Sequence, residues 1–301
     1  MRGRVIISAS RRTDIPRHFA PWFARRRAAG YAEYRTAYGV RGRVSLRPDD
    51  VTGYVFWTRD ARPLRGELEQ LRHEGVPLAF QWTLNGYGPD LEPRQPATDP
   101  AIDALLEASD NLPAPTAIQW RYDPIVLSDR YPHGWHVDTF GSLAERLAGA
   151  TTVCNVSVVE PYAKTIRRVA DPSVRYRKPD ARRHRKAYQL PVMVAKDGPA
   201  LVAELATLGR QFGIQVRSCC DPGLRVESSA CIGADLFAAY SIDLGAIRTA
   251  PTRDACQCLR STDIGVANTC PAGCRYCYVV TSDESVNRNL VRHDSEGASI
   301  A

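Results

Sequence analysis

The chain has 301 residues, 44% hydrophobic and 24% charged, with 40 basic against 33 acidic side chains and a formal charge of +7. That length excludes a single small module and suits one large α/β barrel or two modest domains, and no run approaches 18 consecutive apolar residues, so no membrane span is expected. The charge is a poor pointer to nucleic acid, because only four of the 40 basic residues are lysine, a skew that biased codon supply produces throughout a chain. Nine cysteines, and a start that reaches Arg11-Arg12-Thr13-Asp14 after a very short apolar run, predict a leaderless cytoplasmic protein using thiols for metal or redox chemistry.

In chain order, residues 5–9 read as strand one and 31–38 as strand two. Three apolar runs follow: Tyr54-Val55-Phe56-Trp57-Thr58, Ala79-Phe80-Gln81-Trp82-Thr83 and Ala117-Ile118-Gln119-Trp120-Arg121. Each carries a Trp in the same local position, which reads as a weak internal repeat of strands. Between them, 63–75 and 101–110 have helical apolar spacing, the first opened by Pro63 and closed by Gly75. Strand six is expected over 151–158, strand seven over 214–219 and strand eight over 262–267. Strands alternating with helices imply a parallel sheet, and eight of them predict a (β/α)8-type barrel. Residues 1–255 would form the barrel body. Residues 256–301 would be a C-terminal cysteine-rich segment completing the same barrel, with 282–301 polar and prone to fray.

Barrel chemistry sits at the C-terminal ends of strands. Those ends carry Ser10-Arg11-Arg12-Thr13-Asp14, Thr58-Arg59-Asp60, Thr83-Leu84-Asn85-Gly86-Tyr87, Arg121-Tyr122-Asp123 and Glu160-Pro161-Tyr162. Such charges in a core require partners, so they are either rim ion pairs or a convergent polar pocket; Asp14, Arg121 and Asp123 are its candidate catalytic groups. Lys164 joins them because an ammonium stands out in a chain that otherwise uses arginine. The densest basic stretch, residues 175–186, contains Tyr176 and could form a nucleic-acid groove, although a solvated loop leading into a helix is the preferred reading.

Strand eight runs into Cys270-Pro271-Ala272-Gly273-Cys274-Arg275-Tyr276-Cys277. A C-x3-C-x2-C loop presents three thiolates around one inorganic centre, whereas structural zinc and plain electron-transfer clusters want four. The preferred reading is a [4Fe–4S] cluster on Cys270, Cys274 and Cys277 with one iron free; a zinc knuckle completed by a remote cysteine, or buried free thiols, are the competing ones. Cys219, Cys231, Cys256 and Cys258 form a second set, expected to hold another [4Fe–4S] cluster or a Zn ion, with cluster favoured. Cys220 is a spare neighbour and Cys154 a buried core thiol. There is no phosphate loop, no G-x-S-x-G elbow and no H-E-x-x-H pair, and the six histidines show no ligand constellation.

Ser8-Ala9-Ser10-Arg11-Arg12-Thr13-Asp14-Ile15-Pro16, Phe56-Trp57-Thr58, Leu84-Asn85-Gly86-Tyr87-Gly88-Pro89-Asp90-Leu91-Glu92-Pro93, Trp120-Arg121-Tyr122-Asp123-Pro124-Ile125 and Asp263-Ile264-Gly265 together resemble the bacterial family called domain of unknown function 1848. The cysteine loop resembles that of radical S-adenosylmethionine (SAM) enzymes, C-x3-C-x-aromatic-C, with Tyr276 as the aromatic placed to stack on adenine. Those enzymes carry the loop after their first strand. Here it follows the last, which implies a radical-SAM-like barrel with the cluster-bearing β-unit moved to the C-terminus. The resemblance implies that the free iron takes the amino and carboxylate groups of SAM, which a reduced cluster cleaves to start radical chemistry on an unknown substrate. The usual Gly-Gly-Glu-like turn is missing, and Ser8, Ser10 and Asp14 would replace it, with Arg11 or Arg12 for the carboxylate. A flavodoxin or ferredoxin would supply electrons, and the substrate could be a nucleic acid. The alternatives are an iron–sulfur redox carrier or sensor that never cleaves SAM, and a zinc-stapled nucleic-acid-binding protein.

Overall fold

The computed structural model describes residues 4–36, 39–177, 197–245 and 247–301. The chain opens with β1 (Val5–Ala9), α1 (Ile15–His18) and α2 (Ala20–Ala29), then a hairpin of β2 (Tyr31–Arg35) and β3 (Arg41–Ser45). Alternation follows: β4 (Val51–Thr58), α3 (Arg65–His73), β5 (Leu78–Thr83), α4 (Thr98–Asp110), β6 (Ile118–Ile125), α5 (His133–Arg146) and β7 (Val153–Val158). After it come α6 (Ala163–Val169), α7 (Asp197–Gln211), β8 (Gln215–Ser218), β9 (Ser261–Asp263) and α8 (Asp283–Arg292). Seven strands make one sheet in the order β8-β7-β6-β5-β4-β1-β9, every pair parallel.

The fold is therefore α/β with a parallel sheet, as the alternating pattern predicts. Strand two departs from expectation: Tyr31–Arg35 pairs antiparallel with β3 and stands outside the sheet. Strand eight is shorter than expected because the carboxylate of Asp263 turns back on the end of β1 and Gly265 begins a turn. Nor do the seven strands form a closed hydrogen-bonded ring. β8 and β9 are both edges, and the interval between them is spanned by irregular chain: Ser218 bridges to Ser228, and Leu259 N–H donates to the Ile232 carbonyl at 2.8 Å.

Strands covered on both sides read as near-continuous apolar runs, and both faces here are covered. One face packs on the helices through Tyr54, Phe56 and Phe80 with Phe23 of α2, ring centroids 5.5–5.8 Å apart. The other buries Ile6, Val55 and Ala79 against Ile232, Leu236, Phe237 and five cysteines. Polar residues on that second face satisfy one another: the Gln81 amide donates to Gln119 at 2.7 Å and to the Cys231 carbonyl at 2.8 Å, and Asn155 donates to Gln119 at 2.8 Å. The tryptophan repeat is out of register. Trp82 pairs with Trp120 on the helical side, but Trp57 pairs with Gln81 and belongs to the other face.

The C-terminal stretch does not fray. Ser282 caps α8, and beyond it the Trp22 indole donates to the Gly297 carbonyl at 2.9 Å, Glu33 N–H to Ala298 at 2.8 Å, and Ile300 is fully buried.

Between α5 and the sheet, the buried His136 ring donates from Nε2 to the Val126 carbonyl at 3.3 Å and accepts at Nδ1 from the Tyr122 hydroxyl at 2.8 Å, the pattern of a neutral imidazole. Burial lowers its pKa from 6.5 to about 4. A depressed folded pKa means stability that is complete above the unfolded value and lost as pH falls toward the folded one. Unfolding free energy should therefore drop between about pH 6.5 and pH 4, by up to about 3 kcal/mol from this residue. Denaturant titrations of His136→Gln should show a flatter acid limb; an unchanged slope would refute the assignment.

Candidate functional site

Asp263, at the end of β9, is the hub of the C-terminal end of the sheet. Its carboxylate accepts from Ser8 Oγ at 2.8 Å, Ser10 Oγ at 2.7 Å, Arg11 N–H at 2.8 Å and Gly265 N–H at 3.0 Å. Gly265 is obligatory, since a Cβ there would stand 1.8 Å from Ser10 Oγ. Ser8 and Ser10 thus spend their hydroxyls inside the chain. Arg12 turns toward the hairpin, donating to the carbonyls of Arg35 and Gly265.

This clasp delivers the cysteine loop beside α1. Asp14 caps α1 by accepting from Arg17 N–H at 3.1 Å, and it also accepts from Thr58 Oγ1 at 2.7 Å and Arg59 N–H at 3.1 Å. Burial raises its pKa to about 6. Cys270 Sγ lies close to Asp14, and burial and then the Asp14 carboxylate push its pKa up to about 12. Asp14 and Cys270 therefore share one end of the sheet.

The loop rests on the β5–α4 connection. Arg275 N–H donates to the Leu91 carbonyl at 2.8 Å. Gln95 accepts from Arg17 Nη1 at 2.6 Å, which orients its amide so that Nε2 donates to Cys274 Sγ at 2.9 Å. Cys277 Sγ accepts from Val279 N–H at 3.4 Å. Gly273, at φ +76°, lies so close to Arg94 that a Cβ would meet its Nη2 at 2.6 Å. Tyr276 is buried: its hydroxyl donates to Glu92 and accepts from Arg59 and from Asn85 Nδ2, and its ring meets Tyr87 at 6.0 Å. Its hydroxyl anchors the loop to a buried Arg59–Glu92 pair with bonds of 2.7 and 2.8 Å. Burial alone would lower the Arg59 pKa, but Glu92 outweighs it and the guanidinium stays charged. Glu92 and Gln95 carry no role in the sequence reading, and Arg59 and Asn85 enter it only among the polar strand ends. The run from Leu84 to Pro93 was the available signal, but its polar residues look like ordinary turn chemistry.

Near the inner cysteines, Arg11 lies 5.4 Å over the Trp57 ring, close to Cys231, Cys258, Asp263 and Tyr278, and among the described residues its buried Nη2 has no hydrogen-bond partner. Arg121 lies 5.1 Å over the same ring and is ion-paired to Asp123, whose other oxygen accepts from Ser157. Tyr278 is 56% exposed yet within the field of Arg253, Arg121, Cys277 and Asp123. Lys164 of α6 feels the charge of Cys277, though burial lowers its pKa. Of the basic stretch, Arg175 pairs with Asp197 and Arg177 with Glu160 and Asp221; residues 178–186 lie outside the described residues.

Cys219, Cys231, Cys256 and Cys258 are also brought together, with Cys220, on the buried face of the sheet. Among the described residues, no group of three or more His, Cys, Asp or Glu is already disposed to hold a metal ion. The donor chemistry of the loop nevertheless fits a three-thiolate cluster: the sulfurs of Cys274 and Cys277 accept N–H bonds, the outer interaction that stabilises sulfur-ligated iron.

A family model described as "Domain of unknown function (DUF1848)" matches residues 6–279, which include the loop. No curated protein matches. One solved structure, from work on inhibition of the pneumococcal virulence factor StrH and on N-glycan recognition and hydrolysis, aligns at 14% identity and a TM-score of 0.27. The alignment covers 76% of this chain and 57% of that one. So low a score supports nothing about fold or chemistry.

Removing one partner of a buried ion pair strands the other. Glu92→Ala should therefore cost about 3–5 kcal/mol in denaturant unfolding, and proteolysis should cut first in the 270–278 loop. A variant as stable as the wild type would show that Tyr276 is held by something else.

Proposed function

The chain belongs to the DUF1848 family, and from that premise we propose that it is an iron–sulfur enzyme of the radical-SAM type. One observation carries the reading: a C-x3-C-x2-C loop lies at the C-terminal end of a parallel sheet, with Cys270 beside Asp14 and the sulfurs of Cys274 and Cys277 each accepting from an N–H. Cys270, Cys274 and Cys277 would hold a [4Fe–4S] cluster. That cluster, with SAM bound, supplies the electron that opens the sulfonium and starts radical chemistry.

The chain's own residues would bind, orient and shield. Arg11 is the candidate for the SAM carboxylate, because a buried guanidinium nitrogen without a partner is costly until an anion arrives. The Arg121–Asp123 pair and Tyr278 would line the substrate opening, with Lys164 at its rim. Asp14 would act on Cys270 by position. The irregular bridges between β8 and β9 would complete a barrel-like wall around this opening and keep water from it. A cytoplasmic setting with a flavodoxin or ferredoxin as donor follows from the same reading.

A redox carrier or sensor that never cleaves SAM is the second reading. The observation in its favour is that Ser8, Ser10 and Asp14, the residues nearest a SAM amino-group site, have their oxygens engaged within the chain.

Anaerobic reconstitution with iron and sulfide, then a dithionite-driven assay for methionine and 5′-deoxyadenosine, tests both. The wild type should cleave SAM, Cys274→Ala should lose loop iron and cleavage together, and Arg11→Ala should weaken SAM binding roughly 10–100-fold, the worth of a charge-assisted hydrogen bond. Iron without cleavage would favour the carrier. Stoichiometric zinc in the loop with no iron would overturn both.

A further inference from the structure

Five of the nine cysteines lie apart from the loop and in contact with one another. Cys219 Sγ is 3.0 Å from Cys231 Sγ and 3.8 Å from Cys220 Sγ. Cys256 and Cys258 lie in the same buried cluster. All five are free and buried. They come from three stretches: the end of β8, the turn at 231, and the segment leading into β9. Two guanidinium groups reach them, Arg121 Nη1 at 3.3 Å from Cys231 Sγ and Arg253 Nη2 at 3.5 Å from Cys219 Sγ. Buried cations beside sulfur are what thiolates need and what neutral core thiols do not.

The spacing decides which centre fits. Zinc–sulfur bonds of about 2.3 Å in a tetrahedron place the sulfurs roughly 3.8 Å apart. The four cysteines of a cubane sit on four different irons and must stand farther from one another. Cys219 and Cys231, with sulfurs 3.0 Å apart, stand nearer the spacing around a single ion than that of a cubane. The sequence alone favours a second cluster; the sulfur geometry does not.

We propose that Cys219, Cys231, Cys256 and Cys258 bind one tetrahedral zinc-class ion that staples the irregular chain between β8 and β9. Cys220 is left out: it touches Cys219 alone of the four, and its backbone sits at φ +58°. The four residues share one buried cluster but, among the described residues, are not already disposed around one point, so the ion must draw their sulfurs together. A closed four-thiolate site is structural and takes no substrate. Its effect is mechanical: it ties together three segments that share no β-ladder, and it fixes the sulfur against which Arg121 is aimed. The inference is independent of what the 270–277 loop binds.

The test uses the full chain carrying Cys270→Ala, Cys274→Ala and Cys277→Ala, so that loop metal cannot contribute. Elemental analysis after zinc titration and gel filtration should give one zinc per chain and no sulfide, and replacement by Co2+ should give the spectrum of a tetrahedral tetrathiolate. Adding Cys231→Ser should abolish binding, whereas Cys220→Ser should not. Because Cys231→Ser alters a buried position and can unfold the chain, alkylation of the unmutated protein provides a second readout. Cys219, Cys231, Cys256 and Cys258 should be protected together and become reactive together when a chelator is added. Iron with sulfide in the triple variant, no bound metal, or a Cys219–Cys231 disulfide indifferent to chelator would each overturn the proposal.

Discussion

Everything at the functional end of the molecule depends on one carboxylate. Asp263 accepts four hydrogen bonds, three of them from Ser8, Ser10 and Arg11 at the end of β1. A carboxylate so fully supplied with donors is among the stronger polar anchors available inside a protein. Its reach is long, because β9 has only three residues and little ladder of its own. By fixing β9 against β1, Asp263 sets where the chain leaves the sheet, and so where Cys270 meets Asp14. By holding the backbone of Arg11, it also sets which way that guanidinium points.

Much of the scaffold is legible in the sequence. Short apolar runs separated by helical spacing predict a parallel sheet, and β4 through β7 lie close to where the pattern puts them. The failures have physical causes. Tyr31–Arg35 alternates like a strand, but its partner Arg41–Ser45 is mostly polar, so a two-stranded ribbon looked like one member of a larger sheet. The three tryptophans look equivalent because local position is visible in a sequence and register is not; a one-residue offset moves Trp57 to the other face. The C-terminal tail looks frayed because its anchors are backbone carbonyls at residues 296–298, which side-chain identity cannot reveal.

At the site, the residues with distinctive chemistry were visible and their supports were not. Cys270, Cys274 and Cys277 announce themselves by spacing. Glu92 and Arg59, 33 residues apart, form a buried pair only because the loop folds over them. The two thiol sets also differ in a way that composition hides: the loop sulfurs of Cys274 and Cys277 accept from N–H groups, while the inner set is approached by guanidinium groups. The first arrangement suits sulfur that carries a partly shared charge on iron, and the second suits sulfur that carries a full negative charge around a closed-shell ion.

The pairing of β1 with β9 joins residues 255 positions apart in the chain, and that span governs assembly. β1 is synthesised long before β9, and its outer edge has no partner until Asp263 emerges. Contacts of such separation form late and slowly, and an uncovered edge invites wrong pairings in the interval. A nascent chain that has not reached β9 cannot seat the 270–277 loop, so a fragment released earlier by a stalled ribosome would have most of the sheet and none of the loop thiols.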